Sequence, residues 1–362
     1  MKWARFPAPS AALLVAAASL AFGPRASPGG GIADDVPADT LPRELALHPP
    51  NGLQDLEPER PAASAQQVAL GRRLFFDPIL SVDRTVACAS CHRPDHGFAD
   101  PRPLSVGVRG QLTTRNAPTL LNRGLGTAFM WDGAASSLED QVLLPIENPL
   151  EMDLPLEDAI ARLTADDGYR EAFLGAFGVP PGRWELSLAL TAFVRRLWIG
   201  DSPFDRFRVG EIGAFTPAER AGFWLYESRG KCWRCHTGAN FTDEGFHNTG
   251  VGVVDGTPAE GRARVTGQAS DRGRFKTPTL RGLTSTGPYM HDGSLATLEE
   301  VVGFYRAGGI ANAHLDPVLE PIELTQTDAQ NLVAFLRALS RRAEPRTTAE
   351  AAATPDGRDE GR

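Results

Sequence analysis

Apolar side chains recur at helical spacing over six stretches of this 362-residue chain: Ala65 to Phe76, Leu156 to Phe177, Trp184 to Trp198, Pro217 to Ser228, Leu298 to Tyr305 and Thr327 to Leu339. Several of these open on helix-start signals, such as Thr216-Pro217 and Thr325 followed by Asp328. Strand-like alternation is scarce, while glycine and proline are abundant between the helical stretches. The pattern predicts a mainly α-helical protein with long Gly/Pro-rich loops.

The chain also repeats itself. Ala117-Pro-Thr-Leu120 returns as Thr277-Pro-Thr-Leu280, Met130-Trp-Asp-Gly133 as Met290-His-Asp-Gly293, and Leu138-Glu139 as Leu298-Glu299, all at a spacing of 160 residues. Upstream, Phe98-Ala-Asp100 echoes Phe241-Thr-Asp243, and Gly71-Arg-Arg-Leu-Phe75 echoes Gly222-Phe-Trp-Leu-Tyr226. The expectation is two domains on one plan, 65–199 and 200–342, related by internal duplication. At the 160-residue spacing Tyr305 corresponds to Pro145, so a phenol stands in one domain where the other has a ring that cannot ligate. On spacing alone, Tyr305 also reads as an aromatic on the helix face shared with Leu298 and Val301.

All four cysteines fall in two strings of one form, Cys88-Ala-Ser-Cys-His92 and Cys232-Trp-Arg-Cys-His236. C-x-x-C-H is the attachment signature of a c-type haem, in which each thiol forms a thioether and the histidine becomes the proximal iron ligand. Two such strings predict two covalently bound haem groups, one per domain. A structural zinc site would have more ligands here than its usual tetrahedral four. A thioredoxin-like or disulfide reading lacks the βαβ pattern that accompanies it.

Charge and the chain ends narrow the setting. Residues 1–27 carry Lys2 and Arg5, an apolar run from Ala11 to Phe22 and then small residues, which reads as a signal peptide too short to span a bilayer permanently; Ala21 and Ala26 are alternative cleavage points, and an uncleaved anchor is the rival reading. Residues 28–64 read as a linker or extended segment and 343–362 as a disordered tail. Export places the protein in the periplasm, with no stable membrane span. A net charge of -8, with Lys2, Lys231 and Lys276 as the only lysines, argues against a nucleic-acid partner.

From Gln66 to Ser340 the chain resembles the bacterial dihaem cytochrome c peroxidase superfamily, and within it the MauG-like branch. The resemblance is carried by Leu74-Phe-Phe-Asp-Pro78, the two haem strings, Arg115-Asn-Ala-Pro-Thr119, Trp131-Asp-Gly133, Pro145-Ile-Glu-Asn148 with Glu151-Met152, and Tyr289-Met-His-Asp-Gly293. It implies two cytochrome c-like domains. The haem held by Cys88, Cys91 and His92 would react with hydrogen peroxide, and the one held by Cys232, Cys235 and His236 would transfer electrons. Glu151 matches the family's distal acid-base, Gln141 its pocket amide and Trp131 the tryptophan between the haems. Asn116, with the backbone carbonyls of Thr286 and Pro288, matches an inter-haem calcium site, a set of oxygen donors suited to that ion.

Two positions separate the branches of this superfamily. Its peroxidases usually carry a distal histidine eight residues before the asparagine of the Arg-Asn-Ala-Pro-Thr string, where this chain has Val108, so the first haem iron is expected to be open. They use methionine at the second haem, where this chain has Tyr305, and a phenolate favours ferric and higher states. Against the MauG-like pattern, Gly230 replaces a surface tryptophan two residues before the second string, and Trp233 lies inside the string instead. His96 falls in a loop shared by the branch and is not expected to ligate. The expected enzyme is a peroxidase-type oxidoreductase. Its partner is either a protein oxidised at an aromatic residue or a small donor such as a cytochrome c or a cupredoxin; a non-catalytic dihaem carrier is the further alternative.

Overall fold

The computed structural model describes residues 49–54, 56 and 63–340. The expected signal peptide, most of the expected linker and the expected tail lie outside the described residues. The helices in chain order are α1 (Ala65–Phe76), α2 (Cys88–Cys91), α3 (Leu138–Gln141), α4 (Leu144–Glu147), α5 (Leu156–Ala165), α6 (Asp167–Phe177), α7 (Arg183–Val194), α8 (Pro203–Arg208), α9 (Pro217–Glu227), α10 (Ala263–Thr266), α11 (Leu298–Arg306) and α12 (Gln326–Ala338). A short antiparallel ribbon joins β1 (Phe246–Asn248) to β2 (Arg274–Lys276), with His247 opposite Phe275.

Helix starts are fixed by local chemistry. Ser64 caps α1 with Gln67, Thr216 caps α9 with Glu219, Thr297 caps α11 with Glu300 and Thr325 caps α12 with Asp328, each as a reciprocal capping box. The stretch from Leu156 to Phe177, expected as one helix, is two. Asp166 leaves helical backbone and its carboxylate accepts from the Tyr169 N–H at 2.9 Å, ending α5 and starting α6. The run expected from Trp184 to Trp198 likewise stops at Val194.

Two crossed helix pairs organise the molecule. In α1 against α7, a Cβ on Gly71 would fall 1.8 Å from the Ala189 carbonyl oxygen; in α9 against α12, a Cβ on Gly222 would fall 1.9 Å from that of Asn331. Only glycine permits backbones this close. Each crossing is completed by a phenylalanine, Phe193 in the first pair and Phe335 in the second, both fully buried. Around α1, α5, α6 and α7 the core is largely aliphatic, with Leu74, Leu80, Ile146, Leu163 and Leu186 shut from solvent. Around α9 and α12 it is a cluster of rings, including Phe204, Phe215, Tyr226, Phe241 and Phe335.

Between the segments around Asn116 and Trp131 and those around Lys276 and His291, backbone hydrogen bonds run in both directions. Asn116 N–H donates to the His291 carbonyl at 2.9 Å and Lys276 N–H donates to the Trp131 carbonyl at 2.8 Å. Both partners shift by 160 residues between the two bonds. Such reciprocity is what a two-fold contact produces when each side offers the same segment.

Candidate functional site

Each cysteine string begins a short helical turn that hands its histidine to a loop. Cys88 and Cys91 lie in α2, and the His92 Nδ1 sits 3.1 Å from the Phe98 carbonyl oxygen. Cys232 opens a single 3₁₀ turn, and the His236 Nδ1 sits 3.1 Å from the Phe241 carbonyl oxygen. A carbonyl accepts only from N–H, so Nδ1 carries the proton on both rings and Nε2 keeps its lone pair for a metal. Burial holds both imidazoles neutral, pushing His92 below its ordinary value and His236 down to about 4. Burial likewise pushes the thiols up, to about 12 for Cys88, about 11 for Cys91 and about 12 for Cys232.

Around the first string the structure brings together Glu151 and the turn that bears Val108. Glu151 lies near enough to Cys88 and Cys91 to contribute to the rise of both thiols. Its carboxyl is raised by burial, opposed by a 2.6 Å hydrogen bond from the Asn148 amide to its Oε1. The Glu151 carbonyl accepts from the Val108 N–H at 2.8 Å, and a Cβ on Gly107 would fall 2.0 Å from the Leu150 carbonyl oxygen. Gln111 donates to the Pro149 carbonyl at 3.2 Å, and Arg109 pairs with Asp153 at 2.6 Å. The turn bearing Val108 is therefore clamped onto the Glu151 loop, with the valine side chain wholly buried. Gln141, at the end of α3, directs its amide at the Met130 sulfur, 3.7 Å away. Pro145 lies in the first turn of α4, four residues after Gln141 ends α3.

Around the second string, Cys232, Cys235, His236 and Tyr305 line one cavity. Tyr305 projects into it from α11, beside Leu298 and Val301, and burial raises its phenol above its ordinary range. Among the described residues no hydrogen bond engages its hydroxyl, which is an uncommitted oxygen in the same cavity as the proximal-type histidine. The two readings of Tyr305 thus describe one placement: it shares the helix face with Leu298 and Val301, and that face lines the cavity.

Trp131 stands between the two regions. Its indole N–H donates to the Asn116 carbonyl at 2.8 Å, and its ring meets the His291 ring edge to face at 6.4 Å. Asn116 is buried, and its amide donates to the carbonyls of Arg102, at 2.8 Å, and Asp100, at 3.3 Å, which leaves Oδ1 as the free donor atom. Asn116, Thr286 and Pro288 line the cavity that also holds Trp131 and His236. His96 lies 3.6 Å from the Asp95 carboxylate in its loop and belongs to no cluster of three or more metal-ligating side chains among the described residues. One cluster of Cys235, Asp243 and His247 has metal-ligand spacing, but a thioether at Cys235 removes its thiolate.

Residues 65–212 match the family of di-haem cytochrome c peroxidases. The chain is 39% identical to the methylamine utilization protein MauG of Methylorubrum extorquens over 290 residues, covering 80% of this chain and 81% of that one. It is 34% identical to the cytochrome c551 peroxidase of Pseudomonas aeruginosa over 303 residues, 82% of this chain and 84% of that one. This chain belongs to the dihaem cytochrome c peroxidase family. Among solved structures, a MauG-like protein associated with microbial copper homeostasis superimposes with a TM-score of 0.73 at 34% identity, covering 85% of this chain and 95% of that chain. The diheme peroxidase BthA of Burkholderia thailandensis gives 0.66 at 25%, covering 77% and 87%.

As a member of this family the protein is a peroxidase-type oxidoreductase, and membership implies two c-type haems. The residues fit that group: each string presents two thiols and a neutral imidazole with Nε2 free, and the second also has a cavity lined by its own anchors. Among the described residues no helix is long and apolar enough to cross a membrane. One residue beside the site carried no role in the sequence reading: Asn148, whose partner Glu151 lies three positions on. Its only signal was the Asn-Pro pair that marks a turn.

Proposed function

We propose that this dihaem oxidoreductase reduces hydrogen peroxide at its first haem and draws the electrons through its second, in the manner of the MauG-like branch. The observation that carries the reading is an asymmetry: the uncommitted Tyr305 hydroxyl shares a cavity with His236, whereas the corresponding Pro145 offers no ligand beside Glu151 and Val108. Haem supplies an iron that binds peroxide and exchanges electrons. Cys88, Cys91 and His92 would hold one such group, and Cys232, Cys235, His236 and Tyr305 the other. Glu151 takes the proton from the inner peroxide oxygen and returns it to the outer one, as a general acid-base whose burial raises its carboxyl toward working pH. The Gln141 amide takes the part of the pocket amide that the family resemblance implies. Trp131, fixed by its indole N–H and its carbonyl, relays electrons between the sites. The free Asn116 Oδ1 with the Thr286 and Pro288 carbonyls forms a neutral oxygen set for calcium, completed by water. The two halves, 65–199 and 200–342, are read as products of an internal duplication, and the location as periplasmic.

A second reading draws on one observation. Gly230 stands where MauG-like proteins carry a surface tryptophan, while Trp233 within the second string is 46% exposed. That favours a small cytochrome c or cupredoxin as electron donor over a protein oxidised at an aromatic residue. Electron paramagnetic resonance of the fully oxidised protein tests the asymmetry: one high-spin and one low-spin haem are expected, with the low-spin signal lost in Tyr305→Phe. Two low-spin haems overturn the proposal and return the non-catalytic carrier to first place.

A further inference from the structure

We propose that Asn148 is a positioning residue that holds Glu151 with one oxygen committed and the other free to carry the proton, and that this bond sets the pH at which the site becomes active. The inference rests on the reading of Glu151 as the proton-moving group.

All four polar atoms of Asn148 are used within its own loop. Its N–H closes α4 by donating to the Leu144 carbonyl at 3.1 Å, and its carbonyl accepts from the N–H groups of Glu151, at 2.9 Å, and Asp153, at 3.0 Å. The side-chain Oδ1 accepts from the Leu150 N–H at 3.0 Å, and Nδ2 donates to Glu151 Oε1 at 2.6 Å. The first of these side-chain bonds decides the second. Flipping the amide would set NH₂ against the Leu150 N–H, so the amide group facing the glutamate is a donor.

A donor at that place stabilises the ionised carboxylate and opposes the acid form, because its Oδ1 is already occupied. Glu151 must be ionised to accept a proton from neutral peroxide, while its burial pulls the other way. Other charges near the group are few. Arg109 and Asp153 neutralise one another at the rim, the Glu147 carboxylate of α4 faces the Leu156 N–H at 3.4 Å, and Cys88 and Cys91 of α2 are uncharged as thioethers. Asn148 is thus the neutral donor set directly against the effect of burial. Oε2 remains for the peroxide.

Two variants separate the donor from the turn. Asn148→Ser keeps a short acceptor for the Leu150 N–H but cannot reach Glu151, and Asn148→Leu removes both bonds without adding charge. In the fully oxidised, haem-loaded protein, the acid limb of the rate of reaction with peroxide is expected to move up by about one pH unit in both, the size of one lost charge-assisted hydrogen bond. Infrared titration of the Glu151 carboxyl, identified by its loss in Glu151→Gln, is expected to move by the same amount with the haem spectra unchanged. An unmoved limb and an unmoved carboxyl in Asn148→Ser, with Glu151→Gln inactive, overturn the role of Asn148 and leave that of Glu151 intact. Full activity in Glu151→Gln removes the underlying reading, and the inference falls with it.

Discussion

The two haem regions share a scaffold and differ in what closes it. Both rest on a helix pair crossing at a glycine, Gly71 in one and Gly222 in the other, and both hold the ligand histidine through a loop carbonyl at the same 3.1 Å distance. The helix that follows the shared Leu-Glu pair then diverges. In the second region α11 runs unbroken from Leu298 to Arg306 and bears Tyr305, whereas in the first the helix ends at Gln141, and Pro145 lies in a new short helix that leads to Asn148 and Glu151. A proline has no N–H to extend α3 and no side-chain donor, so the first region lacks the hydroxyl that Tyr305 offers at this place, and the loop that follows bears Glu151. The comparison teaches that one scaffold presents both cysteine-histidine strings alike, while a few positions beyond it give the two sites different polar groups: Glu151 beside the first and the Tyr305 hydroxyl beside the second.

The largest effect should come from the reactive side. Glu151→Gln keeps the shape of the loop and loses the proton shuttle, so peroxide-dependent turnover should fall by about a hundredfold or more. Both haems should remain attached, as measured by the pyridine haemochrome spectrum. Turnover within threefold of the parent protein would show that Glu151 is not the acid-base of the site.

A second contrast is structural. Arg281 and Asp205 form a bidentate pair at 2.7 and 2.8 Å with side chains 1% and 2% exposed, and Arg281 also donates to the Ala239 carbonyl in the loop that leads to Phe241. At the corresponding position the first region has Leu121, in an apolar cluster with Phe98. Arg281→Leu should therefore cost about 3–5 kcal/mol in denaturant unfolding, because Asp205 is left charged and unpaired in the interior. Arg281→Leu combined with Asp205→Leu should recover much of that. A loss below about 1 kcal/mol for the single variant would mean that water reaches the pair.

Sequence spacing made the scaffold legible because repeated strings and capping residues are local signals. Six helical stretches were visible, and four of the helices within them, α1, α9, α11 and α12, follow the expected bounds to within a residue or so at each end. Asp166 was harder, since the apolar period continues through it and only its side-chain bond to the Tyr169 N–H shows the break. The Arg281–Asp205 pair left no trace, its members lying far apart in sequence with no motif between them. Asn148 stood in plain view within a motif, yet a turn-forming asparagine and one aimed at a carboxylate are the same letter.

A smaller difference lies behind the second histidine. Tyr226 donates its hydroxyl to the His236 carbonyl, whereas the matching residue in the first region is Phe75, which has no such group. Tyr226→Phe should destabilise the protein by about 1 kcal/mol, the net worth of one such bond, since it leaves the His236 carbonyl without that donor. A change in the reduction potential of the second haem alone, with the first unmoved, would show that the bond also reaches the ligand.

The smallest expected effect concerns pH, and it turns on the aspartate that follows each histidine loop. Asp100 is paired with Arg102, at 2.7 Å, and Asp243 with His247, at 2.9 Å, which also touches Asp316 at 2.6 Å. The Cys235 thiol, Asp316 and Asp243 hold His247 up at about 10, and thioether formation removes the first of these while leaving the two carboxylates. A histidine whose folded pKa is raised gives its full contribution below the unfolded value near 6.5 and loses it as pH rises through the folded value. Arg102 keeps its charge throughout, so the first region has no such slope. As pH rises above about 7 the parent protein should lose on the order of 1 kcal/mol of unfolding free energy that His247→Arg does not lose, a modest figure because the pair is partly exposed and the thiol's share is gone. Arg102→His should acquire a similar alkaline slope, and equal slopes in all three proteins would show that the two aspartates are held alike despite their different partners.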